Sequence, residues 1–301
     1  MTARARLTDR GKVTEQALLG PLTTYKFGGP ARYLVTIDDE GDLELAAHLA
    51  AEEELAIFAL GRGSNVVVSD RGFDGVVLRP GPGLSGWELG TEGAIVAGAG
   101  TPLPVLARES GRAGRGRLEF FTGIPGSVGG AVRMNAGCHG SETKDAMITA
   151  RVFDLAAGIS GNRTPADLEM SYRHSNLTDD DFVVSATFAT VARDPADAEA
   201  MIREVTRWRR DHQPGGTLNA GSAFKNPPGD SAGRIIDEAG LKGFKVGGAE
   251  VSLRHANFFV AGEGATPQDV FDLVAEVRRR VLSDSGIDLE PEVRFVGEFT
   301  R

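Results

Sequence analysis

The feature that most constrains this chain is an apolar stretch interrupted by glycine, residues 123–140. Glycine occupies six of these eighteen positions: 123, 126, 129, 130, 137 and 140. Glycine adopts positive φ angles and lets other groups approach the backbone closely, so successive main-chain N–H groups can converge on an anion. Two interpretations are equally open for this stretch alone, a cradle for a pyrophosphate or a set of tight turns between short strands.

A second glycine-rich loop, residues 61–65, lies in a different context from the familiar nucleotide-binding loops. Apolar patterns predict a strand over 32–37, a helix over 40–54 and a strand over 56–60, and the loop is then followed by a strand at 66–68. No Gly-Lys-Ser/Thr triplet opens a helix, which excludes a P-loop. Residues 81–86 match Gly-x-Gly-x-x-Gly, but prolines interrupt the match and strands follow it, so we reject a Rossmann interpretation.

Composition excludes several classes of protein. The 301-residue chain has a formal net charge of -9 and a sequence pI near 5.2, which argues against a nucleic-acid partner. The single cysteine, Cys138, fits a reducing compartment, and we find no leader or membrane-spanning segment, so we expect a soluble cytoplasmic protein. The five histidines lack ligand spacing, and we expect no metal site.

Helix start signals organise the rest of the chain into an α+β arrangement. Thr101, Asp194, Asp230 and Thr266 are each predicted to cap a helix, three of them with proline at the next position. Residues 214–216, Pro-Gly-Gly, resemble a hinge into a C-terminal domain.

Three short segments place polar residues in apolar or glycine-rich surroundings: 171–175, 219–227 and 289–295. Each has an ordinary structural explanation. Arg173 could be a surface cation, Ser222 a turn hydroxyl, and Glu292 part of an edge strand beside a proline. Cys138 next to His139 could suggest a thiolate nucleophile, but a buried and inert cysteine fits these apolar surroundings better.

Taken together in this order, these motifs resemble the UDP-N-acetylenolpyruvoylglucosamine reductase family of bacterial cell-wall synthesis. The similarity extends from the Thr-Thr-Tyr-Lys-Phe-Gly-Gly-Pro-Ala segment at 23–31 to Glu298, and includes both glycine loops and the three polar segments. It implies an α+β fold. The resemblance further implies that an FAD-binding domain of the vanillyl-alcohol-oxidase/PCMH type, made of two α/β subdomains, is joined to a C-terminal α+β substrate-binding domain. We expect an N-terminal segment at 1–20, the FAD domain at 21–195 and the substrate domain at 196–301.

The resemblance also implies the chemistry: NADPH reduces a non-covalently bound FAD, and the enolpyruvyl ether of a UDP-sugar is then reduced to the lactyl ether. It implies that Ser222 is the proton donor, and that Arg173 and Glu292 stabilise the enolpyruvyl carboxylate end. Tyr172, Lys225 and Asn226 would contact the substrate. The FAD would be lined by residues of the two loops: Gly61, Arg62, Gly63, Ser64, Asn65, Gly123, Ile124, Pro125, Gly126, Ser127, Gly129 and Gly130.

These residue types suit such a reaction. Hydride addition to the enolpyruvyl group develops negative charge at the carboxylate end, and a guanidinium can hold that charge through two hydrogen bonds. The carbanion then needs a proton within hydrogen-bond reach, which a compact serine hydroxyl can supply. Glu292 could donate a hydrogen bond only if burial raised its pKa.

Two features qualify the resemblance, and two other functions compete with it. Ala261 stands where the family pattern predicts asparagine, and the short 173–222 segment indicates the subtype without an additional tyrosine-bearing loop. The alternatives are a related flavin-dependent sugar or alcohol oxidase, and a non-catalytic flavin-binding regulator. Neither explains Arg173, Ser222 and Glu292 occurring together. The oligomeric state stays open, and a monomer is compatible with the sequence.

Overall fold

The computed structural model describes residues 1–300 and divides the chain into two compact units. The first unit comprises Met1–Gln16, Arg32–Arg62 and Gly75–Trp208, and the second comprises Ala17–Ala31, Gly63–Asp74 and Arg209–Arg301. The described helices are α1 (Ala3–Asp9), α2 (Glu40–Glu52), α3 (Leu103–Arg112), α4 (Val128–Met134), α5 (Thr143–Ala146), α6 (Pro195–His212), α7 (Ala232–Glu238) and α8 (Pro267–Ser285).

Over residues 1–300, eighteen short strands form the sheets. They are β1 (Val13–Leu18), β2 (Pro30–Ile37), β3 (Ala56–Ala59), β4 (Val66–Val68), β5 (Phe73–Pro80), β6 (Trp87–Leu89), β7 (Ile95–Gly98), β8 (Arg115–Gly116), β9 (Gly137–Cys138), β10 (Ser141–Glu142), β11 (Met147–Asp154), β12 (Ile159–Arg163), β13 (Asp181–Phe188), β14 (Val191–Ala192), β15 (Lys245–Val246), β16 (Ala249–Val251), β17 (Phe259–Ala261) and β18 (Arg294–Val296).

The first unit contains two α/β layers, each with its own core. A four-stranded sheet of order β1-β2-β5-β3 packs on α1 and α2, and every second residue of β2 is buried, as expected for a strand with one face on a core. A five-stranded sheet of order β12-β11-β13-β7-β6 packs on α3 and α4. Phe153 and Phe182, on the second sheet, belong to the core of the first layer, so the second sheet contributes side chains to both cores.

The second unit is built around the long helix α8. The antiparallel sheet β15-β16-β17 and helix α7 pack against its apolar stripe, which includes Val270, Val277 and Val281. Strand β18 pairs in parallel with β4, so a segment near the C-terminus completes a sheet with a segment that follows the 61–65 loop. The long-range pairing fixes that loop against the C-terminal segment.

The helix start signals are confirmed at two positions and wrong at two others. The Thr266 hydroxyl oxygen accepts a hydrogen bond from the Asp269 N–H, and the Asp269 carboxylate accepts one from the Thr266 N–H, which makes a complete capping box. Helix α6 begins at Pro195, after Asp194, as predicted.

Thr101 does not cap α3. Its hydroxyl instead donates to the Gly86 carbonyl and accepts from the Gly86 N–H, and α3 begins two residues later. Asp230 does not cap α7 either. Ser231 does, while Asp230 pairs with Arg234, which lowers the pKa of that aspartate to about 2. In both places a competing polar partner captures the side chain.

Within residues 1–300, none of the helices combines the length and the apolar character needed to cross a membrane. Over the same residues, no cluster of three histidine, cysteine or acidic side chains is arranged to hold a metal ion.

Candidate active site and cofactor cleft

The two glycine loops meet at one cleft in the first unit. Four residues predicted to line a cofactor are on its wall: Gly61, Ser127, Gly129 and Gly130. The rest of the wall comes from strand ends, from helix α4 and from the segment before β13: Ala59, Leu60, Pro80, Ala99, Arg133, Leu177, Asp181, Phe182 and Val183. The lining is mainly apolar or backbone, which suits a large planar ligand.

Close backbone approach explains why glycine is needed in this wall. A Cβ on Gly61 would lie 2.6 Å from the Ser127 Oγ, and one on Gly129 would lie 3.1 Å from the Ala99 Cβ. Gly130 is exposed, and a Cβ there would meet only the Ser127 Oγ, at 3.8 Å. Two of the glycines therefore bring the chain segments together, and the third keeps the cleft open. A single added Cβ would take up the free space along this wall. A wall of backbone without those side-chain atoms fits FAD.

Two main-chain N–H groups of the longer loop, residues 123–140, donate to carbonyl groups of the protein rather than toward an anion. The Val128 N–H donates to the Thr101 carbonyl at 3.0 Å, and the Gly129 N–H donates to the Ala99 carbonyl at 2.9 Å. These two amides hold the loop to the end of β7 and the start of α3. Both amides are therefore bonded to main-chain carbonyls, as in the tight-turn interpretation of this stretch.

The remaining loop residues divide between the two units. Arg62 reaches from one loop to the other, its Nε 3.3 Å from the Pro125 carbonyl. Gly123 lies against Cys138, because a Cβ on it would be 2.4 Å from the Sγ. In the second unit, Gly63 has φ +62°, and a Cβ there would lie 2.5 Å from the Leu22 carbonyl oxygen, so this position also requires glycine.

Arg173 lies in a tight turn closed by hydrogen bonds between Ser171 and His174, with φ +53°. Its Nη2 donates to the Gly137 carbonyl at 3.1 Å, and its guanidinium lies 5.0 Å from the ring centre of Tyr172. The Tyr172 ring is 43% exposed. A non-glycine residue at positive φ is strained, and such strain is often found where a functional side chain must be aimed. The turn thus presents a cation and an aromatic ring from one short segment.

An unpredicted residue, Asn135, joins this turn to the glycine-rich stretch. Asn135 is fully buried at φ +40° and follows the last residue of α4. Its Nδ2 donates to the Ser171 carbonyl at 2.8 Å and to Glu142, and its Oδ1 accepts from the Lys144 N–H. The only signal in the sequence is an asparagine after a helix, the residue type that tolerates a left-handed cap.

Ser222 and Glu292 lie on adjoining extended segments of the second unit. The Glu292 N–H donates to the carbonyl of Ala223, the residue after Ser222, at 2.8 Å. Asn65 holds the same segment from the other side: its Nδ2 donates to the Glu292 carbonyl, and its own carbonyl accepts from the Arg294 N–H, both at 3.0 Å. The structure therefore places the main-chain segments of two of the three predicted catalytic residues side by side, and Arg173 belongs to the first unit.

A small cavity behind Ser222 is lined by Tyr25, from the motif at 23–31, and by apolar residues such as Phe259 and Val274. The Tyr25 hydroxyl donates to the Phe259 carbonyl at 2.8 Å, and burial raises the pKa of this phenol. Tyr25 thus stays neutral and acts as a fixed donor beneath the serine segment.

The predicted substrate contacts on this segment also have local partners. The Lys225 Nζ lies 2.7 Å from Glu290, an exposed carboxylate that a competing anion could replace. The Asn226 Oδ1 accepts from the Ala232 N–H at 3.0 Å, at the first residue of α7. Asn226 therefore orders the start of a helix with its carbonyl group.

The fold and the cleft define the class of protein first. Residues 31–159 match the model of an FAD binding domain. A berberine bridge enzyme variant described as a reticuline dehydrogenase aligns with 64% of this chain and 44% of its own at TM-score 0.50 and 12% identity, which shows a shared fold only. These residues define the class as an FAD-binding protein, and the predicted FAD-binding fold is confirmed.

The second unit makes the assignment specific. Residues 213–296 match the C-terminal domain of UDP-N-acetylenolpyruvoylglucosamine reductase. Reductases of that name from Azorhizobium caulinodans and Erythrobacter litoralis are 41% and 42% identical; each alignment covers 96% of this chain, and 92% and 88% of theirs. The crystal structure of the Thermus caldophilus enzyme aligns with 94% of this chain and 98% of its own, at TM-score 0.81 and 38% identity. The chain belongs to the UDP-N-acetylenolpyruvoylglucosamine reductase family.

Proposed function

We propose that this chain reduces UDP-N-acetylenolpyruvoylglucosamine to UDP-N-acetylmuramate with electrons from NADPH, a step of peptidoglycan synthesis. FAD, when bound, would supply the redox chemistry, which is hydride transfer from NADPH to C3 of the enolpyruvyl group. The observation that carries the proposal is the main-chain pairing of the Ser222 and Glu292 segments in a chain that matches this family over nearly its whole length.

Ser222 is the group that we propose protonates C2 after hydride addition at C3. Together these steps add one hydride and one proton across the double bond and leave a lactyl ether. The serine segment is held by main-chain bonds on both edges, so the hydroxyl is presented from a rigid support. A positive charge, from Lys225 or from Arg173, would ease loss of the hydroxyl proton.

Arg173 and Glu292 are proposed to act on the enolpyruvyl carboxylate end. Negative charge grows there as hydride arrives, and removing one preorganised donor to such a charge typically costs about 3–4 kcal/mol of transition-state stabilisation. The bond to the Gly137 carbonyl restricts the Arg173 guanidinium before substrate arrives. Glu292, held through its main chain by Asn65 and Ala223, can donate a hydrogen bond in its protonated form.

The cofactor and substrate contacts complete the proposal. FAD would be held by Gly61, Arg62, Gly63, Ser64, Asn65 and the loop residues from Gly123 to Gly130 named above. Tyr172, Lys225 and Asn226 would contact the UDP-sugar, Lys225 by exchanging Glu290 for a phosphate.

We also propose the domain division 1–20, 21–195 and 196–301, and an enzyme acting in the cytoplasm. The nucleotide-linked substrate and the single cysteine support the cytoplasmic assignment.

Anaerobic half-reactions test the function directly. The purified holoenzyme should lose its yellow colour when NADPH is added and regain it when UDP-N-acetylenolpyruvoylglucosamine follows. An oxidase would regain colour with oxygen and ignore this substrate. A regulator would bind FAD and show neither half-reaction with these reagents. Either of those outcomes would refute the proposed function.

A further inference from the structure

The segment that carries Ser222 has an unusual neighbour, the buried side chain of Asn257, which is 2% exposed. The Phe224 N–H donates to the Asn257 Oδ1 at 3.0 Å, and the Asn257 Nδ2 donates back to the Phe224 carbonyl at 2.8 Å. One side chain thus satisfies both main-chain groups of a residue 33 positions away. The amide thus exchanges two hydrogen bonds with the Phe224 main chain, as the backbone of a residue on a neighbouring antiparallel strand would do.

The main chain of the same region adds further bonds to this edge. The Ala223 N–H donates to the Asn257 carbonyl at 2.8 Å, and Ser222 forms an antiparallel bridge with Phe258. On the opposite edge, the Ala223 carbonyl accepts from the Glu292 N–H. The three segments therefore form a short sheet in which Asn257 closes the edge away from Glu292.

The chemistry of this contact selects asparagine. The Phe224 N–H needs an acceptor and its carbonyl needs a donor, which also fixes the orientation of the amide. Ionised aspartate offers only acceptors and would bury a charge, and an aliphatic side chain offers neither group. Glutamine is one methylene longer in a site packed around Phe224, which is itself fully buried.

We propose that Asn257 is a positioning residue for proton delivery: its amide sets the position of the Ser222 hydroxyl relative to Glu292. This inference rests on the proposed role of Ser222. Proton transfer to carbon depends steeply on distance, and a displacement of about 1 Å can cost about 100-fold in rate. Reduction of FAD by NADPH does not use this hydroxyl, so Asn257 should affect only the second half-reaction.

Asn257→Asp gives the sharpest test, because the protonated carboxyl has the shape of the amide and one O–H donor. Burial raises the pKa of such a carboxyl, so the variant mimics asparagine at low pH and loses the donor as the pH rises. In the holoenzyme, we expect flavin reoxidation by UDP-N-acetylenolpyruvoylglucosamine, relative to wild type, to fall about 10- to 100-fold between about pH 5 and pH 9. Reduction by NADPH should follow the wild-type pH profile. Asn257→Ala lacks both groups and should be slow in reoxidation at every pH.

Thr266→Ala is the matched control, since it removes the cap of α8 in the same unit without touching the serine segment. It should lower the melting temperature and leave both half-reactions at their wild-type rates. The proposal is overturned if both Asn257 variants slow the two half-reactions equally, lose FAD, fail to fold, or behave as wild type.

Ser222→Ala separates failure of this inference from failure of the proposed function. If Ser222→Ala leaves reoxidation by the substrate intact, the proposed role of Ser222 is wrong, and the inference is overturned with it. If Ser222→Ala abolishes reoxidation but the Asn257 variants do not change it, only the positioning role is wrong.

Discussion

The substitution Gly130→Ala separates the stability of the fold from the affinity of the cofactor. Gly130 lies in helix α4 and on the wall of the cleft. An added Cβ would meet only the Ser127 Oγ, at 3.8 Å, which is an ordinary contact. The methyl group therefore costs nothing within the protein and projects into the space assigned to FAD.

The two expected effects have opposite signs. Replacing glycine by alanine inside a helix stabilises the fold by up to about 1 kcal/mol, which corresponds to a rise of about 2–4 °C in Tm. Overpacking a well-fitted site by one methyl group costs about 1–3 kcal/mol, which weakens FAD binding by about 5- to 150-fold in Kd. The adjacent Gly129→Ala should instead lower the Tm, because its Cβ would lie 3.1 Å from the Ala99 Cβ.

The assay is thermal unfolding of the apoprotein together with FAD titration followed by quenching of flavin fluorescence. Gly161→Ala serves as the control. Its added Cβ would meet nothing within 4 Å, Gly161 does not line the cleft, and the substitution should leave FAD affinity unchanged. If Gly130→Ala binds FAD as tightly as wild type, the cleft between the two glycine loops is not the cofactor site.

Three further changes test other parts of the molecule. Gly29→Ala should cost more than about 3 kcal/mol in urea unfolding, since the new Cβ would lie 2.2 Å from the Asp70 carbonyl oxygen; a loss no larger than that of the open Gly215→Ala would contradict the packing argument. Glu292→Gln should keep FAD bound and slow substrate-dependent reoxidation of the flavin. A colourless protein, which has lost FAD, would mean that Glu292 has a structural role. Burial, with Lys242 and His212 nearby, lowers the pKa of His255 below its usual 6.5. The unfolded chain therefore binds more protons below about pH 6.5, and wild type should lose more stability than His255→Gln between about pH 7 and pH 5; parallel unfolding curves for the two proteins would contradict this assignment.

The sequence predicts the elements whose signals are local. The Thr266 capping box and the apolar stripe of α8 are both complete within a few turns of one helix, and the structure confirms both. Thr101 and Asp230 show the limit of the same reasoning. Each has the side chain of a helix cap, but a hydroxyl or carboxylate bonds to whichever partner folding brings near, here Gly86 and Arg234.

The candidate site follows the same division. The glycine loops and the segment of Ser222 are recognisable as motifs, because several unusual residues occur together. Asn135 and Asn257 each stand alone in the sequence, and nothing local distinguishes a buried asparagine from an exposed one. Their importance depends on partners 36 and 33 positions away, Ser171 and Phe224, which only the folded chain reveals.

The pairing of β4 with β18 has a consequence for synthesis on the ribosome. Asn65 and the Glu292 carbonyl that it contacts are separated by 227 residues. At about 5–20 residues per second, β4 emerges on the order of 10–50 s before its partner. During that interval its three valines, all buried in the finished protein, have no strand beside them. Nascent chains of this protein therefore present an apolar strand that a chaperone can shield until β18 has been synthesised. Truncation before residue 294 would leave that strand exposed permanently.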